Sequence, residues 1–302
     1  MMTRVLTAFL VLGTLAALSA QPSSRFVLAS VVDPQTDTPL GGLAAEDFII
    51  QEGTTPCETI AARPAGYPIA ILVDTSNAAR REFTQIRTAV RQLVSRLSGR
   101  DVALYTFGDR AFRAADFTRD TTRLERTVDR LFAAPDGESH VLDTIIDASR
   151  DLGKREAPVS MIVVVSAGAN DQSSRTPREV FEPVVASRSI VHLVEMRSIG
   201  ASGRLNNVRG QRNFTSDRAA EAALGLQELL QGLVNQTRGT YDRIFAASGY
   251  PISLEKLQRR LSTEVVLEYA SAGGPASSLK IGTRLSGGIV TAIGLERAPR
   301  EP

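Results

Sequence analysis

The chain has 302 residues with 35 Lys and Arg against 33 Asp and Glu, a formal charge of +2. That near balance excludes a whole-protein field that would draw nucleic acid. The single cysteine, Cys57, excludes an intramolecular disulfide, and with no histidine close to it in sequence Cys57 is not expected to act as a nucleophile.

Residues 1–20 read as a signal peptide: Arg4 supplies the positive start, 5–18 the short apolar core, and Ala17, Ser19 and Ala20 a cleavage site before Gln21. The expected location is therefore secreted or periplasmic. No cysteine follows the apolar core to take a lipid, and no later segment is apolar enough to span a bilayer. The expected organisation is a signal peptide (1–20), an N-terminal β segment (21–66), an α/β unit (67–250) and a C-terminal helix and β segment (251–302).

From residue 24 the pattern is strand and turn, with strands over 26–32, 48–50 and 59–62. Cys57 falls in what reads as a turn region. Pro64, Gly66 and Pro68 mark a joint, after which strand and helix alternate. The run Pro68, Ile69, Ala70, Ile71, Leu72, Val73 is apolar throughout, as a strand buried on both faces requires. Phe83, Ile86, Val90, Leu93, Val94 and Leu97 then fall at helical spacing before Gly99. A strand follows at 102–107, with 111–117 as its hairpin partner. Helices follow on Leu124, Val128 and Leu131 and on Leu142, Ile145, Ile146 and Leu152. The strongest strand is 161–165, then come a helix over 178–186 and a strand over 190–195. Thr215 or Ser216 is expected to cap a helix that Gly239 stops. A helix from Leu254 and strands over 264–269, 279–283 and 289–295 complete the chain. Two or three strands alone are marginal in water, so the terminal strands are expected to pack together as one discontinuous sandwich.

Loops at the carboxyl ends of parallel strands gather at one edge, where ligands bind. The first presents Asp74, Thr75, Ser76, Asn77 and Ala78, the second Ser139 and His140, and the third Ser166, Ala167, Gly168, Ala169, Asn170 and Asp171. The loop over 197–212 leaves the same edge with Arg197, Arg204, Arg209 and Arg212 and no acid, a rim for an anionic group on a partner. Local structure explains some of these residues equally well: Asp74 and Ser76 can hold a turn through their own backbone, and Ser139 can be a helix N-cap.

These elements resemble a von Willebrand factor A domain. The Leu43-Ala44-Ala45-Glu46-Asp47-Phe48 run with Glu52-Gly53 resembles the approach segment of the secreted von Willebrand factor A-related proteins of acidobacteria. The order of Asp74-x-Ser76, residues 137–143, 166–168 and Thr237-Arg238-Gly239-x-Tyr241 carries the likeness across nearly the whole mature chain. The resemblance implies a doubly wound, mostly parallel α/β sheet flanked by helices, and a metal-ion-dependent adhesion site at one end. Its Asp-x-Ser-x-Ser maps to Asp74, Ser76 and Ala78, its threonine to Ser139, and its last aspartate to Ala167. Two of the five implied ligand positions thus lack a side-chain oxygen. One carboxylate and two hydroxyls suit a hard, strongly hydrated cation poorly. No cofactor is expected beyond weakly held Mg²⁺ or Mn²⁺ at Asp74, Ser76 and Ser139, with Asn170 and Asp171 near enough in sequence to offer substitute oxygens.

The expected function is that of an exported, non-catalytic binding protein. Its ligand face would comprise Asp74, Ser76, Asn77, Ser139, Asn170, Asp171, Arg204, Arg209 and Arg212, engaging a protein or extracellular polymer rather than nucleic acid. One alternative is a metal-dependent adhesion module with a weakened site. Another is a hydrolase built from Asp74, Ser76 and His140, although the chain has no Gly-x-Ser-x-Gly turn, no phosphate-cradling loop ending in Lys and no His-Glu-x-x-His pair.

Overall fold

The computed structural model describes residues 23–168, 171–173, 175–197 and 214–295. The expected signal peptide (1–20) and the tail after Leu295 lie outside the described residues. The chain opens with β1 (Ser24–Asp33), β2 (Thr38–Leu40), β3 (Phe48–Glu52), β4 (Thr55–Cys57) and β5 (Thr59–Pro64). Cys57 thus sits in a strand rather than a turn, paired with Ile50.

Strand and helix then alternate through β6 (Ile69–Val73), α1 (Phe83–Ser95), β7 (Val102–Phe107), β8 (Ala111–Thr118), α2 (Thr121–Asp129), α3 (Val141–Gly153), β9 (Ser160–Ser166), α4 (Pro177–Ala186), β10 (Ser189–Met196), α5 (Phe214–Gln236), β11 (Tyr241–Ile244) and α6 (Gly249–Thr263). The chain returns to β structure with β12 (Val265–Ala270), β13 (Leu279–Thr283) and β14 (Ile289–Leu295).

Six strands form one sheet in the order β11-β10-β9-β6-β7-β8, parallel except for the antiparallel edge strand β8. Every residue of β6, β7 and β9 is buried, as strands covered on both faces must be. Ile69, Ile71 and Val73 pack on one face with Ile86, Val90 and Leu93 of α1, Leu124 of α2 and Tyr250, Leu254 and Leu257 of α6. Ala70 and Leu72 pack on the other with Ile145 of α3, Val180 of α4 and Leu233 of α5. The short strand β11 follows Gly239 at the sheet edge, and the spacing of its apolar residues did not announce it. Helix α5 begins at Phe214, so Thr215 and Ser216 lie inside it instead of capping it. Helix α6 begins at Gly249, a turn and more before Leu254.

The two ends of the chain make the sandwich. In a five-stranded sheet of order β14-β1-β12-β5, with β2 added on β1, the first strand pairs antiparallel with two of the last. It faces a three-stranded sheet, β13-β3-β4. Val27, Ala29 and Val31 of β1 meet Phe48 and Ile50 of β3 in the interior. The opposite face of β1 is covered too, because Leu28 joins Tyr67, Leu257 and Leu261 in the core of the α/β unit. Helix α6 therefore serves both layers, touching α1 on one side and β1 and β2 on the other. The two chain crossings between the layers are tied where the Ala65 amide donates to Glu264 O (2.9 Å) and the Tyr67 hydroxyl donates to the Glu264 carboxylate.

His192 lies wholly buried in β10. Its Nδ1 accepts from the Thr240 amide (3.1 Å) and sits 2.9 Å from Thr240 Oγ1, which assigns the proton to Nε2, an atom buried without a partner. Burial, aided by Arg260, pushes its pKa down from 6.5 to about 3. Unfolded chains therefore take up a proton that the native state refuses, and this residue's contribution to stability is lost as pH falls from 6.5 toward about 3. The His192 ring resonances are expected to stay flat in an NMR titration between about pH 5 and 8. A midpoint near the ordinary value would show the ring to be reachable by water.

Candidate functional site

The carboxyl ends of β6 and β9 lie side by side, since Val73 pairs with Val165. The two loops that leave them are joined through one carboxylate. Asp74 is fully buried, and its Oδ1 accepts from the Ser76 amide (2.9 Å) and the Ser76 hydroxyl (2.6 Å). Its Oδ2 accepts from the Ala167 amide (2.9 Å) and, more weakly, from Ser166 Oγ (3.5 Å). Burial raises the Asp74 pKa, and these four donors oppose that rise.

The rest of the edge is built on backbone. The Asn77 amide donates to Gly137 O (2.8 Å) and the Ala134 amide to Thr75 O (2.9 Å), holding the loop before α3 against the loop after β6. Gly168 has φ of +78°, and a Cβ there would stand 2.4 Å from Met196 O, so the turn after β9 presses on the end of β10 in a way only glycine permits. The Tyr250 hydroxyl of α6 donates to Ser166 O (2.8 Å) from beneath the edge, and burial together with Asp74 pushes its pKa up.

A family model, von Willebrand factor type A domain, matches residues 69–232. The chain belongs to the von Willebrand factor type A family. Domains of this family generally mediate protein interactions. No curated protein matches it. Among solved structures it is similar in fold to BatB, a conserved hypothetical protein of Bacteroides thetaiotaomicron (16% identity, 65% of this chain and 98% of that one, TM-score 0.47). It is also similar to a von Willebrand factor type A protein of Catenulispora acidiphila (11% identity, 81% and 51%, TM-score 0.49) and to proximal thread matrix protein 1 of the mussel byssus (12%, 76% and 49%, TM-score 0.47). The chain spans about half the length of these last two.

In this A domain Asp74, Ser76 and the 166–168 turn are brought together, whereas other expected donors are engaged elsewhere. Asn77 and Ala78 are exposed on a 3₁₀ turn, and Ala78 turns a methyl group to solvent. Ala167 contributes an amide that donates to Asp74. Ser139 is buried and pairs with Asp171 through a parallel bridge, its carbonyl accepting from the Gln172 amide (2.7 Å). It does not cap α3. His140 occupies that position without a side-chain bond, and Asp171 caps the helix from across the edge, its Oδ1 accepting from the Leu142 amide at 3.3 Å. The same carboxylate accepts from the Ser173 amide (3.0 Å) and hydroxyl (3.1 Å), so it is held at α3 instead of being turned toward Ala167. His140 Nδ1 sits 3.6 Å from Asp143, and among the described residues no hydrogen bond joins it to Ser76 or Asp74. Asn170, Arg204, Arg209 and Arg212 lie outside the described residues.

Sequence reasoning missed Tyr250 and the Gly137 carbonyl. Neither carries a local signal: one lies in a helix far down the chain, and the other acts through its backbone.

Proposed function

We propose that this chain is an exported, non-catalytic binding protein whose A domain offers the edge around Asp74, Ser76, Asn77 and Ser139 to a protein or extracellular polymer without needing a metal ion. The observation that carries the reading is the closed set of hydrogen bonds around Asp74. Both of its oxygens are already matched by donors of its own chain, so the edge is pre-shaped by the protein itself. A divalent cation bound there would have to displace these donors and find its remaining ligands where Ala78 and Ala167 offer none. Mg²⁺ dehydrates reluctantly and needs near-octahedral oxygen geometry. The donor set fits the family's metal poorly. Hydrolysis is disfavoured on similar grounds, since the Ser76 hydroxyl donates to a carboxylate and is not bonded to an imidazole base.

A thermal-shift experiment tests this. A ligand at a hundred times its Kd stabilises a fold by about 2.7 kcal/mol, which raises Tm by several degrees. Millimolar Mg²⁺ or Mn²⁺ is expected to leave the wild type unchanged, while Ala78→Ser with Ala167→Asp gains a shift. Stabilisation of the wild type that Asp74→Ala abolishes would establish the metal-dependent reading instead. Capture of partners from the native envelope or medium is expected to survive a chelator.

A further inference from the structure

A cavity of about 650 Å³ opens at the opposite edge of the six-stranded sheet, beside the residues that lead into β6, β7 and β9. Arg100, Arg113, Arg119, Lys154 and Arg155 line it against two lining carboxylates, Asp101 and Asp151. Asp116, 2.9 Å from Arg113, and Glu264, bonded to the lining Tyr67 and paired with Arg260, also lie close by, which leaves two more cations than carboxylates. The formal charge of the entire chain is only +2, so the local excess is as large as that of the whole protein.

We propose that this cavity binds a polyanionic ligand bearing adjacent phosphate or sulfate groups. The guanidinium groups are already positioned. Arg155 stacks over the Phe117 ring (4.4 Å to the centroid) and pairs with Asp101, and Arg100 stacks over Tyr67 (4.7 Å) while its Nη2 donates to Leu261 O (2.9 Å). Arg113 is held by Asp116 and by Asp151 (2.8 Å), and Asp151 also takes Lys154 (2.8 Å). For Arg100, Arg113 and Arg155 little side-chain freedom is left to lose when an anion arrives. Donors nonetheless remain unmet. Arg119 has no ion pair or hydrogen bond among the described residues, and Arg100 Nη1 is buried without a partner. An unmet buried donor is unfavourable, and a small turn of the guanidinium toward a bound anion relieves it. Guanidinium forks on several walls suit a tetrahedral oxyanion, which presents oxygens in more than one plane, better than a flat carboxylate. This site stands apart from the Asp74 edge and does not depend on the reading of it.

The test is calorimetric titration of the chain from Gln21 onward, at low salt, with inorganic tripolyphosphate, with a multiply sulfated disaccharide and with citrate. Saturable binding of tripolyphosphate or of the disaccharide is expected, the stronger of the two assigning the phosphate or sulfate source. Arg119→Ala with Lys154→Ala is expected to weaken that binding by about tenfold or more. Arg126→Ala with Arg178→Ala, which removes the same charge elsewhere, should leave it within about twofold. Lys154 is three-quarters exposed, so an unchanged Tm confirms that the first variant folds. Absence of binding by both probes, equal weakening in the two variants, or citrate binding as tightly as either probe would each overturn the proposal.

Discussion

Replacing Gly239 by Ala is expected to lower stability by about 3 kcal/mol or more, the penalty of forcing atoms into a packed interior. Gly239 lies three residues beyond α5, where the chain crosses the start of β10. A Cβ there would stand 1.8 Å from Val191 O and 2.6 Å from Val191 C, backbone atoms of a central strand that cannot yield. The turn would have to lift, and three ties would go with it: Thr237 Oγ1 accepting from the Val191 amide (3.0 Å), Thr240 O accepting from the Leu193 amide (2.8 Å), and Val234 O accepting from the Gly239 amide (2.9 Å). Leu233 and Val234, both buried in the core beneath α5, would loosen together. Thermal and urea unfolding should show Tm falling by about 6–12 °C. Gly225→Ala is the control, because Gly225 lies within α5 with nothing within 4 Å of the new methyl group and the change should be neutral or stabilising by about 0.5–1 kcal/mol. A loss below about 1 kcal/mol at Gly239 would mean that the turn is free to move.

Glu52→Ala is expected to destabilise the sandwich by about 3 kcal/mol. Glu52 belongs to the three-stranded sheet, yet its buried carboxylate accepts from Arg25 of β1 (2.8 Å) and the Tyr269 hydroxyl of β12 (3.1 Å) in the facing sheet. Ser271 Oγ (2.9 Å) and the Gly274 amide (2.8 Å) complete its shell. Removing it strands four donors at the seam between the two sheets. Burial alone would raise its pKa, but the Gly274 amide, Ser271, Tyr269 and Arg25 together hold it below the ordinary 4.5. Its stabilising effect is therefore complete above pH 4.5 and fades as pH falls through the lower native value. The stability difference between wild type and Glu52→Gln, measured by urea unfolding, should be largest near neutrality and shrink as pH falls below 4.5. A difference that did not change with pH would mean that the carboxylate is not ionised in the native sandwich.

Much of the fold was legible because burial imposes a period on the chain. The unbroken apolar run into Val73 and the helical spacing of Phe83, Ile86, Val90 and Leu93 each state which faces must be covered, and the parallel sheet with its helices follows from satisfying them. The absence of a side-chain oxygen at Ala78 and Ala167 was equally plain, since composition at a known turn needs no coordinates. Where the elements end was harder to read: the start of α6 at Gly249 and the short β11 depend on neighbours that supply hydrogen bonds and cover surface, and local propensity is too weak to fix them.

Periodicity says that a face must be buried but not what buries it, and there only the tertiary structure decided. It set β1 between β12 and β14, strands from the far end of the chain, and placed α6 against both the sandwich and the A-domain sheet. It also decided how each carboxylate is used. Asp171, close to Ala167 in sequence, is drawn to the unsatisfied amides at the start of α3, while Asp74 takes up the Ala167 amide, because a buried polar group must bond to whatever donor packing brings within reach. The arginines around the cavity at the opposite edge are scattered from Arg100 to Arg155 and carry no motif. Only the meeting of the ends of α1, α3 and β8 at one edge makes them a site.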